Sequence, residues 1–115
     1  MNSNNKGKRG ELEVARILRE NGFEDARRTA QYCGNTGDAA DVVGLDGFHL
    51  EVKRCETIRI MEWLKQAIRD CKGKIPLVVF RRNNDEWFVC LRLVNFLDLL
   101  KKIKKLKEII GIDKE

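Results

Sequence analysis

The sequence predicts an α/β domain in which a mixed five-stranded sheet carries helices on its faces. Three observations support this class: helical apolar spacing in three segments, short strand-like runs between those segments, and turn residues that separate them. The order along the chain is helix, three strands, helix, two strands, helix. The length of 115 residues and the hydrophobic content of 43% predict that residues 1–115 form a single domain with a hydrophobic core.

The first helix is predicted over residues 9–21, where apolar side chains recur on one face and the Asn21-Gly22 pair ends the pattern. Residues 1–8 are polar and basic, so they are predicted to form a flexible arm. Residues 23–29 predict a short strand, and a long polar loop rich in turn residues follows it.

A β-hairpin comes next, with strands predicted over residues 40–44 and 48–54. Alternation places Phe48, Leu50 and Val52 on one face of the second strand, and His49, Glu51 and Lys53 on the other.

The second half of the chain repeats the alternation of helix and strand. Apolar spacing predicts an amphipathic helix, an apolar run predicts a buried strand, a turn leads into a partner strand, and a long amphipathic helix ends the chain. These elements are predicted over residues 59–72, 77–80, 86–91 and 94–110.

Charge and composition narrow the class of protein. Lysine and arginine number 23 against 18 acidic residues, and the net charge of +5 favours a polyanionic partner such as nucleic acid. No apolar run is long enough to span a membrane, and the N-terminus lacks the apolar stretch of a signal peptide, so an intracellular, cytoplasmic protein is expected. The four cysteines form no CxxC pair, which predicts neither a zinc site nor a disulfide framework.

The hairpin carries an unusual set of charged residues in Asp41, Glu51 and Lys53. Glu51 and Lys53 share a strand face with Cα atoms roughly 6.5–7 Å apart, and each is expected to keep the other ionised. With Asp41 on the adjacent strand, the set could hold Mg²⁺, which takes one or two carboxylates and several waters. An alternative interpretation is a solvated sheet face, which this spacing also allows.

The length of the hairpin loop decides between these interpretations. A two-residue Asp46-Gly47 turn would place Asp41 opposite Val52, on the wrong face for a shared ion. A three-residue loop, Leu45-Asp46-Gly47, would set Asp41 opposite Glu51, and Gly47 suits the left-handed residue that such loops need. A metal site therefore predicts the three-residue loop, or a bulge with the same effect.

Three stretches of the sequence resemble known nuclease families. The stretches "GDAADVVG" and "HLEVKR" resemble the core of the PD-(D/E)XK nucleases, in which an acid opens one strand and acid-x-Lys follows on the next. Upstream, "KGKRGELEVARILRENGF" resembles the first helix of Holliday-junction resolvases of archaeal and phage type, with Glu11 four residues after Gly7 and Glu13 the weaker match. Ala40 stands where the superfamily has proline, a position that offers no metal ligand.

The resemblance implies a restriction-endonuclease-like fold and a metal-dependent DNA endonuclease, with Mg²⁺ or Mn²⁺ as cofactor. It implies that Asp41 and Glu51 bind the metal, that Glu11 joins through the metal shell, and that Lys53 assists the attacking water. Gln66, on the helix after the acid-x-Lys strand, is a further candidate catalytic residue. The resemblance also implies a homodimer that cuts a four-way DNA junction symmetrically.

Other residues are weaker candidates for the site or for DNA binding. His49 could touch a substrate phosphate or a metal-bound water, or serve only a structural purpose. Gly37-Asp38 could be a ligand site or a simple turn. The apolar stripe of the last helix could cover a dimer partner. Candidate DNA contacts, each of which could equally be part of a solvated face, are Lys6, Lys8, Arg9, Arg27, Arg28, Gln31, Arg54, Arg81 and Arg82.

Three functions follow from these features. The first is a Holliday-junction resolvase, the second a related nuclease acting on other branched or duplex DNA, and the third a non-catalytic DNA-binding module on the same scaffold. The four positions that the family uses for metal binding and catalysis all carry the expected residue types, which favours an enzyme over the binding module. These residues are Glu11, Asp41, Glu51 and Lys53.

Overall fold

A computed structural model describes residues 3–29 and 40–111 of the chain, with side chains from residue 7 onward. These residues form helices and strands in the predicted order, and the predicted α/β class with a mixed five-stranded sheet is confirmed. The elements are α1 (Ser3–Glu20), β1 (Arg27–Arg28), β2 (Val42–Val43), β3 (Phe48–Arg54), α2 (Ile60–Asp70), β4 (Ile75–Arg81), β5 (Phe88–Cys90) and α3 (Leu93–Ile110).

The N-terminal segment differs from the prediction. Helix α1 begins at Ser3, so residues 3–8 are helical where the sequence predicted a flexible arm. Serine and asparagine commonly start helices, and no proline interrupts the segment up to Glu20. Strand β1 is shorter than predicted because the chain turns after the helix, where the N–H of Phe23 donates to the Leu18 carbonyl at 3.0 Å.

The sheet follows chain order, β1-β2-β3-β4-β5. Neighbouring strands are antiparallel except for the central pair, β3 and β4, which run parallel because α2 connects them as a crossover. Helices cover both faces of the sheet at β3 and β4. Strand β3 is accordingly buried at four consecutive residues, from His49 to Val52.

The core has one layer on each face of the sheet. On one face, α1 contributes Val14 and Ala15, which pack with Leu50 and Val52. On the other face, α2 contributes Trp63, Leu64 and Ala67, which pack on Val78 of β4. Glu51 is paired with Val78 in the parallel register, so its side chain belongs to the α2 face of the sheet.

Helix α3 differs from the other two helices. It follows β5, the last strand of the sheet, and has no buried residue. The structure therefore uses α1 and α2, and not α3, to cover the sheet.

Among the described residues, no helix is both long enough and apolar enough to cross a bilayer. Cys55, Cys71 and Cys90 are free thiols, and Cys33 lies outside the described residues.

Candidate active site

The β2–β3 hairpin has the register that a shared site requires. Val42 pairs with Leu50, which is the alignment produced by the three-residue loop Leu45-Asp46-Gly47. Gly47 has a φ of +83°, and the N–H of Phe48 donates to the Leu45 carbonyl at 3.2 Å. The predicted loop is confirmed.

Gly44 fixes the start of this loop. Its φ is +93°, and a Cβ at this position would overlap the backbone carbonyl of Asp25. Only glycine allows the two backbone segments to approach so closely. The close contact holds the hairpin against the turn that follows α1.

Asp41 lies opposite Glu51 and bonds to the two residues that flank Glu51 on the neighbouring strand. Its backbone N–H donates to the Leu50 carbonyl at 2.9 Å, and its Oδ2 accepts the N–H of Val52 at 2.8 Å. The Asp41 side chain thus takes the place of a backbone carbonyl in the ladder, one residue before β2 begins. This places its carboxyl group beside that of Glu51, and the two are hydrogen-bond neighbours.

Glu51 is buried, and His49 is its nearest basic partner on the same strand. The Nε2 atom of His49 lies 2.8 Å from Oε1 of Glu51, and the two residues are 2% and 3% exposed. His49 therefore contacts an acidic residue of the site. A contact of its ring with a substrate phosphate or a metal-bound water stays a prediction.

The pKa of Glu51 is raised to about 8. Burial is the largest cause, followed by the negative charge of Asp41 and the hydrogen bond between the two carboxyl groups, while Lys53 acts in the opposite direction. The expectation that Glu51 and Lys53 keep each other ionised near neutral pH is therefore wrong for Glu51. Desolvation and a second carboxylate outweigh one ammonium group.

Lys53 follows Glu51 on β3 by two residues and is half-buried. Its charge lowers the pKa of both Glu51 and Glu11, so the ammonium group acts on acids from the hairpin and from α1. A cation in this position can neutralise negative charge that develops on a nearby phosphate.

Glu11 approaches the same region from α1 and is 7% exposed. Burial and the charge of Asp41 raise its pKa, against the opposing effect of Arg28. Arg28 donates from Nε to Oε1 of Glu11 at 2.6 Å. This pairing joins residues 17 positions apart, so no local pattern in the sequence could have indicated it.

Glu13, the alternative acid on α1, has a different set of partners. Its Oε1 accepts the indole N–H of Trp87 at 2.5 Å and lies 3.4 Å from Nε of Arg81. These contacts tie α1 to β4 and to the segment before β5. They favour Glu11 over Glu13 as the helix residue of the site.

Gln66 lies on α2, one helical turn before Asp70, and is half-buried. The negative charge of Asp70 contributes to the raised pKa of Glu51, which shows that the end of α2 is close enough to influence the acidic pair. Asp70 was not predicted from the sequence. Its spacing of four residues from Gln66 on a helix that packs beside Glu51 was the available signal.

The acidic residues fit a hard divalent cation through a pair of carboxylates. No cluster of three His, Cys, Asp or Glu residues with ion-binding geometry occurs in residues 3–29 and 40–111, and Glu11 is bonded to Arg28. Mg²⁺ needs only one or two carboxylates because it keeps several waters. Asp41 and Glu51 would supply these oxygens, because their carboxyl groups are hydrogen-bond neighbours.

The candidate DNA contacts fall into three groups. Lys8, Arg9, Arg27 and Arg82 are exposed, while Arg54 is half-buried with its Nε buried and lacking a hydrogen-bond partner among the described residues. Arg28 and Arg81 have internal partners. Arg28 donates to Glu11, and Arg81 pairs with Glu13 and stacks 5.3 Å over the Trp87 ring. The side chain of Lys6, together with Gln31 and the Gly37-Asp38 pair, lies outside the described residues.

The five-stranded mixed sheet, the element order and the Asp…Glu-x-Lys hairpin together define a restriction-endonuclease-like nuclease core. Comparison with known families agrees with this class. Residues 2–114 match the family described as "Phage putative PDDEXK endonuclease", so the chain belongs to that family. No curated protein and no solved structure matched the chain.

Proposed function

We propose that this endonuclease is a metal-dependent enzyme that resolves four-way DNA junctions by phosphodiester hydrolysis. The observation that carries the chemistry is the meeting of the Asp41 and Glu51 carboxyl groups, with Lys53 two residues further along β3. The restriction to junctions rests on the resemblance of the segment around Glu11 to the first helix of the resolvases.

In the proposed site, the oxygens of Asp41 and Glu51 would hold Mg²⁺ or Mn²⁺. Such a cation, when bound, would acidify a water and polarise the scissile phosphate. Lys53 orients the attacking water or neutralises charge that develops on the phosphate. Glu11 would join through the metal shell once Arg28 released it, and Gln66 would add a polar group from α2.

The substrate side of the proposal follows from charge. The excess of basic over acidic residues suits a polyanion, and exposed side chains such as Lys8 and Arg9 lie on the same helix as Glu11. Contacts of this kind position the DNA backbone without reading its sequence. The proposal therefore includes recognition by junction shape, with two copies of the chain cutting symmetrically, as recombination and repair require.

The test uses a labelled four-way junction, a duplex of the same sequence and the corresponding single strand, each with Mg²⁺, Mn²⁺ or EDTA. Paired symmetric nicks in the junction, absent in EDTA, are the expected result. Cutting of the plain duplex at an equal rate would replace junction resolution with a general nuclease activity. Binding without cleavage under every metal condition would overturn the catalytic proposal, provided that the protein is folded.

A further inference from the structure

Helix α3 presents an apolar stripe that the fold does not cover. Nine large apolar residues of this helix are between 43% and 69% exposed. Six apolar residues recur at spacings of three and four and share one face of the helix. We refer to these six residues as the α3 stripe: Phe96, Leu99, Leu100, Ile103, Leu106 and Ile110.

We propose that the α3 stripe is the surface on which a second copy of this chain docks, helix against helix. An isolated helix of 18 residues is marginally stable in water, and helices in proteins depend mainly on packing of their apolar face. No residue of α3 is buried against the other described residues, so a second molecule would supply the packing that this face lacks.

The chemistry of the stripe matches a copy of itself. Its spacing of Phe96, Leu99, Ile103, Leu106 and Ile110 is the alternating three-and-four pattern of a helix–helix seam, and no charged residue interrupts these five positions. The two faces of the sheet already carry α1 and α2, so within the described residues α3 is the helix left without a partner. A two-fold axis would bring the same stripe from each copy into one self-complementary interface.

The α3 stripe can supply the apolar centre of a dimer interface. Burial of an aliphatic side chain corresponds to roughly 60–120 Å². The five exposed residues of the stripe are about half exposed, so they supply on the order of 150–300 Å² per copy. Two copies that covered this area would need a polar rim of similar size to approach the roughly 1,000 Å² that specific interfaces bury.

The lysines of α3 distinguish a second copy from an anionic partner. Five lysines lie between Lys101 and Lys107, with one acid on either side of that segment, Asp98 and Glu108. Two copies of such a helix repel one another, so added salt should strengthen their association. An acidic protein, DNA or an anionic membrane would instead be attracted by the lysines, and salt would weaken that binding.

Analytical ultracentrifugation of the full chain tests the inference by mass. The wild-type protein is expected to sediment as a dimer of 13.3 kDa chains, with a dissociation constant that falls as salt is raised. Ile103→Lys should weaken the dimer roughly tenfold or more, because each copy would lose the burial of one aliphatic side chain. The inference rests on the two-copy part of the proposed function. The test reads mass and not cleavage, so a failure of the dimer surface is distinguishable from a failure of the nuclease chemistry.

Val94→Lys is the matched control, because Val94 is a β-branched residue of α3 that is 56% exposed, against 49% for Ile103, and lies away from the stripe. The control should remain dimeric. Circular dichroism checks that each variant is folded, and Leu106→Lys replaces Ile103→Lys if that variant is not. A wild-type monomer, a dimer that neither stripe variant weakens, or binding to anionic vesicles by a monomeric wild type would each overturn the inference.

Discussion

The Nε2 atom of His49 and the Oε1 atom of Glu51 lie 2.8 Å apart on one face of β3, and both side chains are buried. The imidazole is therefore hydrogen-bonded to one oxygen of Glu51, and the Glu51 carboxyl group is also hydrogen-bonded to that of Asp41. This arrangement limits the rotation of the Glu51 carboxyl group, and rotational order is a requirement for any group that has to bind a cation or a water in one orientation.

Replacing His49 with alanine should remove the hydrogen-bond partner of a buried acid. The expected loss in the free energy of unfolding is about 1–3 kcal/mol, accompanied by slower cleavage and weaker binding of Mn²⁺. His49→Gln, which can still donate a hydrogen bond, should recover part of all three properties. Chemical denaturation, a cleavage assay and Mn²⁺ titration measure these effects. An alanine variant equal to wild type in all three would show that the contact is unimportant.

The raised pKa of Glu51 predicts how stability depends on pH in EDTA. The pKa of this carboxyl group is about 8 in the folded chain against an ordinary value of 4.5, so the folded state binds the extra proton between these limits. The free energy of unfolding should then be greatest below about pH 4.5 for this group and fall by a few kcal/mol as pH rises to about 8.

Denaturation of the wild type and Glu51→Gln at several pH values measures this effect. The glutamine variant should lose this part of the pH dependence, since its side chain does not titrate. Mg²⁺ should restore the stability of the wild type above pH 8 because it binds the ionised form. A wild-type profile that matched the glutamine variant between pH 4.5 and 8 would contradict the prediction.

Asp41→Asn should abolish cleavage and preserve the fold. The asparagine side chain keeps an oxygen that can accept the Val52 N–H, which Asp41 accepts at 2.8 Å, but it loses the charge that a cation needs. Cleavage should fall by roughly a thousandfold or more, while junction binding changes little. Asp46→Asn, in the exposed hairpin loop, is the matched control and should cleave normally; equal activity of the two variants would exclude Asp41 from the chemistry.

Gly44→Ala should destabilise the chain more than Gly47→Ala. Both glycines have positive φ values, which cost an alanine roughly 1–2 kcal/mol. Only at Gly44 would the added methyl group also overlap the Asp25 carbonyl, whereas Gly47 faces open space. The expected loss at Gly44 is about 3 kcal/mol or more. Urea denaturation of the two variants gives the comparison, and equal losses would show that the backbone contact is easily relieved.

Lys8 and Arg9 should contribute to DNA affinity through phosphates. Each alanine substitution should weaken binding to different junction sequences by a similar factor and lower the slope of log affinity against log salt by about 0.9. Fluorescence anisotropy over a range of salt concentrations provides the slopes. Lys65→Ala, at an exposed position on α2, controls for the general loss of one positive charge, and an unchanged slope for the α1 variants would exclude these contacts.

The order of elements and the hairpin register could be predicted because both depend on local features. Apolar periodicity and turn residues indicated the order, and the requirement that Asp41 meet Glu51 selected the three-residue loop. Three features could not be predicted in this way. The helical start at Ser3 overrode a polar composition, the Arg28–Glu11 pair joins distant residues, and the raised pKa of Glu51 depends on burial that spacing does not reveal.

The three-residue loop of the hairpin also bears on how this protein folds. Asp41, Glu51 and Lys53 lie within one segment of 13 residues, and closing a loop of this size is entropically cheap. Hairpins form within roughly 1–10 μs, long before distant strands align. The relative placement of the three charged groups is thus a short-range property of the polypeptide, whereas their desolvation depends on helices that come from elsewhere in the chain.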